Sequence, residues 1–136
     1  MAEARQAPFQ QLEYVYMPST DVAADVGWFT DVLGATLVFA IDSMGTRVAM
    51  VELTAAPPKI LLAGHLEGDR PILVYRVDDL EAATQQLRER GWEEGHTLEI
   101  PQGPVLSFAA PGGQRLAIFE LTRPGVEESF AGRRDF

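Results

Sequence analysis

Residues 21–34 read DVAADVGWFTDVLG, and residues 79–91 read DLEAATQQLRERG. In the first stretch Asp21 precedes apolar residues at Val22, Val26, Phe29 and Leu33, and Gly34 follows them. Spacings of four, three and four predict an amphipathic helix with an acidic N-cap and a glycine stop. The second stretch repeats the plan with Asp79, then Leu80, Ala83, Leu87 and Arg90, then Gly91. The two caps lie 58 positions apart and the two glycines 57 apart, which marks an internal duplication.

The flanking sequence obeys the same repeat. A strand is predicted before each helix, at 12–18 and 71–77, from β-formers bounded by turn residues. Three short strands are predicted after each helix: 36–41, 47–53 and 59–63, then 92–96, 105–109 and 115–121. Turns fall at 42–45, 55–58, 101–104 and 111–113, all rich in Gly, Pro or polar residues. The fold class that follows is α+β, with two tandem βαβββ units at about 9–66 and 69–122 in one domain covering 1–122. Residues 123–136 show no periodicity and are expected to wrap loosely or to pack on a partner subunit.

Composition narrows the function. The chain has 136 residues, 46% hydrophobic and 23% charged, which suits one packed domain. Twenty acidic against eleven basic residues give a net charge of −9, so nucleic acid is not an expected partner. The absence of cysteine removes disulfides, thiolate metal sites and cysteine nucleophiles. Residues 1–8 contain no apolar leader core and no run is long enough for a membrane span, so a cytoplasmic location is the expectation.

Three motifs in order, DVAADVGWFTDVLG, RVDDLEAATQQLRERG and APGGQRLAIFEL at 110–121, resemble the vicinal oxygen chelate superfamily. That superfamily includes glyoxalase I, extradiol (dihydroxybiphenyl-type) dioxygenases, fosfomycin-inactivating enzymes and bleomycin-binding proteins. The resemblance implies curved mixed sheets around a cleft and, commonly, a homodimer. It also implies metal ligands, usually His, Gln or Glu, on the first and last strands of each unit. Those positions fall on Tyr14, at or next to Leu62, on Ile72 and on Ala117, none of which is such a residue. No metal or other cofactor is therefore expected. His65 and His96 match no ligand spacing and read as surface or turn residues; Glu52 reads as a strand-end acid.

Side chains alternate along strands, so if Tyr14 faces the cleft then Tyr16 does too. By the same rule Ile72, Val74 and Arg76 line the fifth strand, and Arg115, Ala117 and Phe119 the last. A cleft edged by Tyr14, Tyr16, Leu62, Ile72, Val74, Phe108, Ala117 and Phe119, with Arg76 or Arg115 as polar handles, has the makeup of a small-molecule site. Trp28 lies off the helix stripe and suits a subunit contact, and Trp92 suits a core plug. The expectation is a metal-independent binder of a small aromatic or cationic molecule, the acidic charge favouring a cation. The bleomycin-resistance branch implies sequestration of an antibiotic or toxin. The alternative is a lyase, isomerase or dioxygenase-like enzyme using Tyr14, Glu52 or His65 as an acid or base.

Overall fold

The structure is a computed structural model and describes residues 8–43, 45–93 and 95–136. The reading of 1–7, and the parts of the turn at 42–45 and of the strand at 92–96 that involve Met44 and Glu94, lie outside the described residues. The elements run β1 (Phe9–Pro18), α1 (Val22–Asp31), β2 (Thr36–Ser43), β3 (Thr46–Glu52), β4 (Lys59–Ala63), β5 (Ile72–Val77), α2 (Leu80–Arg88), β6 (His96–Ile100), β7 (Gly103–Ala109), β8 (Arg115–Glu120) and α3 (Val126–Phe130). This is the doubled βαβββ order, followed by a helix that the sequence did not signal.

Both helix starts form as their caps require. The Asp21 carboxylate accepts a hydrogen bond from Ala24 N at 3.1 Å, and Asp79 accepts one from Ala82 N at 3.1 Å. Gly34 and Gly91 close the helices at φ +75° and +86°, a left-handed backbone that glycine adopts without Cβ strain. α1 ends at Asp31, short of Leu33, which is 45% exposed and so drops out of the predicted stripe.

The eight strands form one mixed sheet in the order β2-β3-β4-β1-β5-β8-β7-β6. β1 runs parallel to β4, β5 runs parallel to β8, and the two units join through the antiparallel pair β1–β5. α1 covers one half of one face, where Val22 and Val26 pack with Ala49, Val51, Ile60 and Leu62. α2 covers the other half, where Ala83 and Leu87 pack with Val77, Leu106 and Ile118. The opposite face carries Tyr14, Phe39, Met50, Leu61, Val74, Val105, Ala117 and Phe119 in a single cluster. Phe39 on β2 and Val105 on β7 belong to that one cluster although five strands lie between β2 and β7, so the sheet curls around it.

Two expectations need correction. The sixth strand occupies His96–Ile100, not 92–96. Trp92 N still bonds Leu87 O at 3.1 Å, finishing the α2 turn, and the indole ring packs edge-on against Phe108 at 5.3 Å. Pairing with β7 begins only at His96, opposite Ser107. The C-terminal segment is not loose. It crosses the curled face, forms α3, and then bonds the edge of β2 through Gly132 N to Val38 O (2.8 Å) and Asp135 N to Ala40 O (2.7 Å).

Candidate ligand-binding cleft

The cleft is the concave face of the sheet, and strand alternation decides which residues reach it. Tyr14 pairs with Val74 across β1–β5, and Val74 pairs with Ala117 across β5–β8. These three, with Phe119, form the buried floor; Tyr16 and Ile72 pack against it. The Tyr14 and Phe119 rings lie 5.6 Å apart at 42°.

Leu62 and Phe108 do not reach the cleft. Tyr16 pairs with Leu61 in the parallel β1–β4 register, which puts Leu61 in the cleft and turns Leu62 under α1. Phe108 pairs with Leu116 and packs under α2 beside Trp92. Arg76 stands half-buried, with cleft-side register partners Gln11 and Phe119. Arg115 is spent on the loop between the two units, where its guanidinium donates to Glu67 O at 3.0 Å and to Arg70 O. The floor is apolar, and besides Arg76 other residues supply its polar handles.

Those handles are Lys59, Glu127 and Gln102. Lys59, on the cleft side of β4 opposite Tyr14, places Nζ 2.7 Å from Glu127 Oε1 on α3. The Tyr14 hydroxyl donates to Glu127 Oε2 at 3.2 Å. Gln102, buried, acts on the Tyr14 hydroxyl in the opposite sense to its acidic neighbours, favouring the deprotonated form. Burial raises the Tyr14 pKa well above its ordinary 10.0, and the neighbouring charges of Glu127 and Glu13 add to this. For Lys59, burial opposes the charged form, but the bond to Glu127 and its charge outweigh it and the pKa rises above 10.5. Both groups therefore keep their protons. Three residues after Glu127, Phe130 packs into the same cluster, its ring 5.7 Å from Phe39.

At the rim, the Tyr16 hydroxyl lies 3.3 Å from His65 Nε2, and His65 Nδ1 lies 3.2 Å from Thr46 Oγ1. Burial raises the Tyr16 pKa. His65 itself is exposed, as is His96, and strands β1, β5, β8 and β7 separate β4 from β6. The two histidines therefore share no ion with Glu52.

The strand positions that would hold a metal are Tyr14, Leu61, Ile72 and Ala117, and they do not fit a divalent ion. Three are hydrocarbon, and the fourth is a phenol held protonated by burial. Among the described residues, no group of three or more His, Cys, Asp or Glu converges elsewhere.

Lys59 was within reach of sequence reasoning, since it shares the parity of Leu61 on a predicted strand. Glu127 was not. Its contact with Tyr14 spans 113 residues and comes from a segment without periodicity.

Comparison with known proteins agrees with this architecture. The family model described as Glyoxalase/Bleomycin resistance protein/Dioxygenase superfamily matches residues 11–120. Methylmalonyl-CoA epimerase from Mycobacterium tuberculosis superposes with a TM-score of 0.74 at 20% identity, covering 90% of this chain and 95% of that one. The hypothetical protein BH1468 from Bacillus halodurans C-125 gives a TM-score of 0.69 at 17% identity, covering 81% of this chain and 93% of that one. A catechol 2,3-dioxygenase gives 0.65 at 17% identity, covering 92% of this chain but 45% of that longer one. No functionally curated protein matches the chain in sequence.

Proposed function

The chain belongs to the Glyoxalase/Bleomycin resistance protein/Dioxygenase superfamily, and within it we propose that this member binds a small aromatic molecule in its concave cleft without a metal. The observation that carries the reading is the replacement of the ligand positions by Tyr14, Leu61, Ile72 and Ala117, which turns a chelating site into an apolar wall with two aromatic rings. Such a wall holds a flat apolar ligand by dispersion and stacking, while Lys59, Tyr14 and Tyr16 supply the few directional groups that fix its orientation. The proposal extends to sequestration of an antibiotic or toxin, in a homodimer and in the cytoplasm.

The test is calorimetric titration of a panel of aromatic compounds against the whole protein and its Tyr16→Ala variant. Loss of a rim anchor is expected to weaken binding by about 1–3 kcal/mol. A panel in which every affinity is the same in both proteins would sink the reading.

A second reading is favoured by one observation, the Tyr16–His65–Thr46 hydrogen-bonded chain at the rim. In it the protein is an enzyme, and the Tyr16 hydroxyl exchanges a proton with substrate while His65 Nε2 takes up or returns the phenol's own proton. Turnover of any aromatic substrate that falls at least a hundredfold in His65→Gln, with affinity unchanged, would establish it.

A further inference from the structure

The cleft already holds part of its own chain, and the chemistry of that occupant is informative. Glu127 presents one carboxylate, bonded by Lys59 and by the Tyr14 hydroxyl. One helical turn later, Phe130 presents a phenyl ring to the apolar cluster beside Phe39. Side chains so placed on a helix stand about 5–6 Å apart at Cβ.

We propose that α3 is a built-in surrogate for the ligand, and that the cleft takes an aryl-alkanoic acid, one aromatic ring joined by a short chain to one carboxylate, which displaces α3. The proposal rests on the binding reading above and adds the chemical class of the ligand.

Three features support it. Lys59 and Tyr14 are both donors, and Tyr14 is only 1% exposed. Once Glu127 leaves, a ligand without an acceptor would strand both donors, which costs free energy; a neutral acceptor would leave the Lys59 charge uncompensated, and a cationic ligand would meet the Lys59 ammonium. A carboxylate satisfies both. Glu127 bonds Lys59 directly, whereas Glu13 and Glu52 act on it through charge alone, so the direct coordination is what a ligand must replace. Lastly, α3 is detachable. It has five residues, none of them buried, and no side-chain cap bond, and a helix so short does not hold itself.

Its two ends stay fixed while it moves. Before it, the Arg123 guanidinium donates to Pro101 O (2.7 Å) and Ile100 O (2.8 Å). After it, Gly132 and Asp135 bond β2 through the backbone. The segment between is a strap over the cleft, held down in the middle by Glu127 and Phe130.

The test titrates 4-phenylbutanoate, its amide and 4-phenylbutylammonium into the full chain and into Glu127→Gln, Lys59→Met and Lys59→Arg. Circular dichroism verifies that each variant keeps its fold. The acid is expected to bind Glu127→Gln roughly tenfold more tightly than the unchanged chain, because the competing carboxylate has lost its charge. Lys59→Met is expected to lose acid binding and Lys59→Arg to keep it. Equal acid affinity in the unchanged chain and in Glu127→Gln overturns the surrogate. Preference for the amide or the ammonium ion overturns the carboxylate class and leaves aromatic binding standing. Binding of none of the three to Glu127→Gln overturns the class together with the binding reading beneath it.

Discussion

Tyr14 shows how one residue can carry both fold and site. Its ring belongs to the buried floor, and its hydroxyl is one of two donors that hold Glu127. Removing only the hydroxyl, in Tyr14→Phe, is expected to cost about 1 kcal/mol in urea unfolding, the typical net worth of one hydrogen bond. The pH dependence follows from the direction of the pKa. Because burial raises the phenol above 10.0, the folded chain holds this proton more tightly than the unfolded chain does. Its contribution is therefore complete below pH 10 and is lost as pH rises beyond it. Lys59, raised above 10.5, adds loss in the same direction. Stability of the unchanged protein is expected to fall above pH 10, and to fall less steeply in Tyr14→Phe; equal slopes in the two proteins would contradict the assignment. That Tyr14 faces the cleft was implied by the family resemblance, which puts it at a ligand position, and alternation carried the reading on to Tyr16. The hydrogen-bond partner of Tyr14 was not legible, because no local pattern encodes a contact 113 residues away.

Among the elements, the caps, the stop glycines and the period-two strands were all written locally, and the doubled order follows from them. What escaped was fixed by tertiary pairing. β6 begins where β7 offers partners, because Trp92 is drawn under α2. Leu62 and Leu61 exchange faces once the β1–β4 register is known. α3 has no periodic signature since it is held from outside, by Lys59, Tyr14 and the Phe39 ring. Its amides are accordingly expected to exchange with solvent faster than those of β1 and β5, and Phe130→Ala is expected to speed them further while leaving β1 and β5 unchanged. Exchange measured by NMR that is equally slow in α3 and β1 would show a rigid cover. The end of the strap depends on pH separately. Asp135 accepts from Arg133 and from Asp42 N, and these bonds lower its pKa below 3.8. Its hold on β2 is then complete above pH 3.8 and is lost as pH falls below that value.

On the scale of the whole molecule, the strap breaks the symmetry of the duplication. Lys59 and Tyr14 of the first unit bind it, whereas the equivalent strands of the second unit set Ile72, Val74 and Ala117 in the apolar floor and carry Arg76 further along the cleft side. Outside the cleft, α1 leaves Trp28 52% and Val32 63% exposed, side by side with Leu33 at 45%. Among the described residues no other element covers this apolar edge, and in water it gains free energy by burial at roughly 25 cal/mol per Å². A second copy is the occupant proposed with the homodimer, and a charge placed at its centre opposes it. Sedimentation is expected to give about twice the chain mass of 14.9 kDa for the unchanged protein. Trp28→Glu is expected to give the single-chain mass with its circular dichroism unchanged. A single-chain mass for the unchanged protein refutes the dimer and leaves the cleft, which is built from one chain, as it stands.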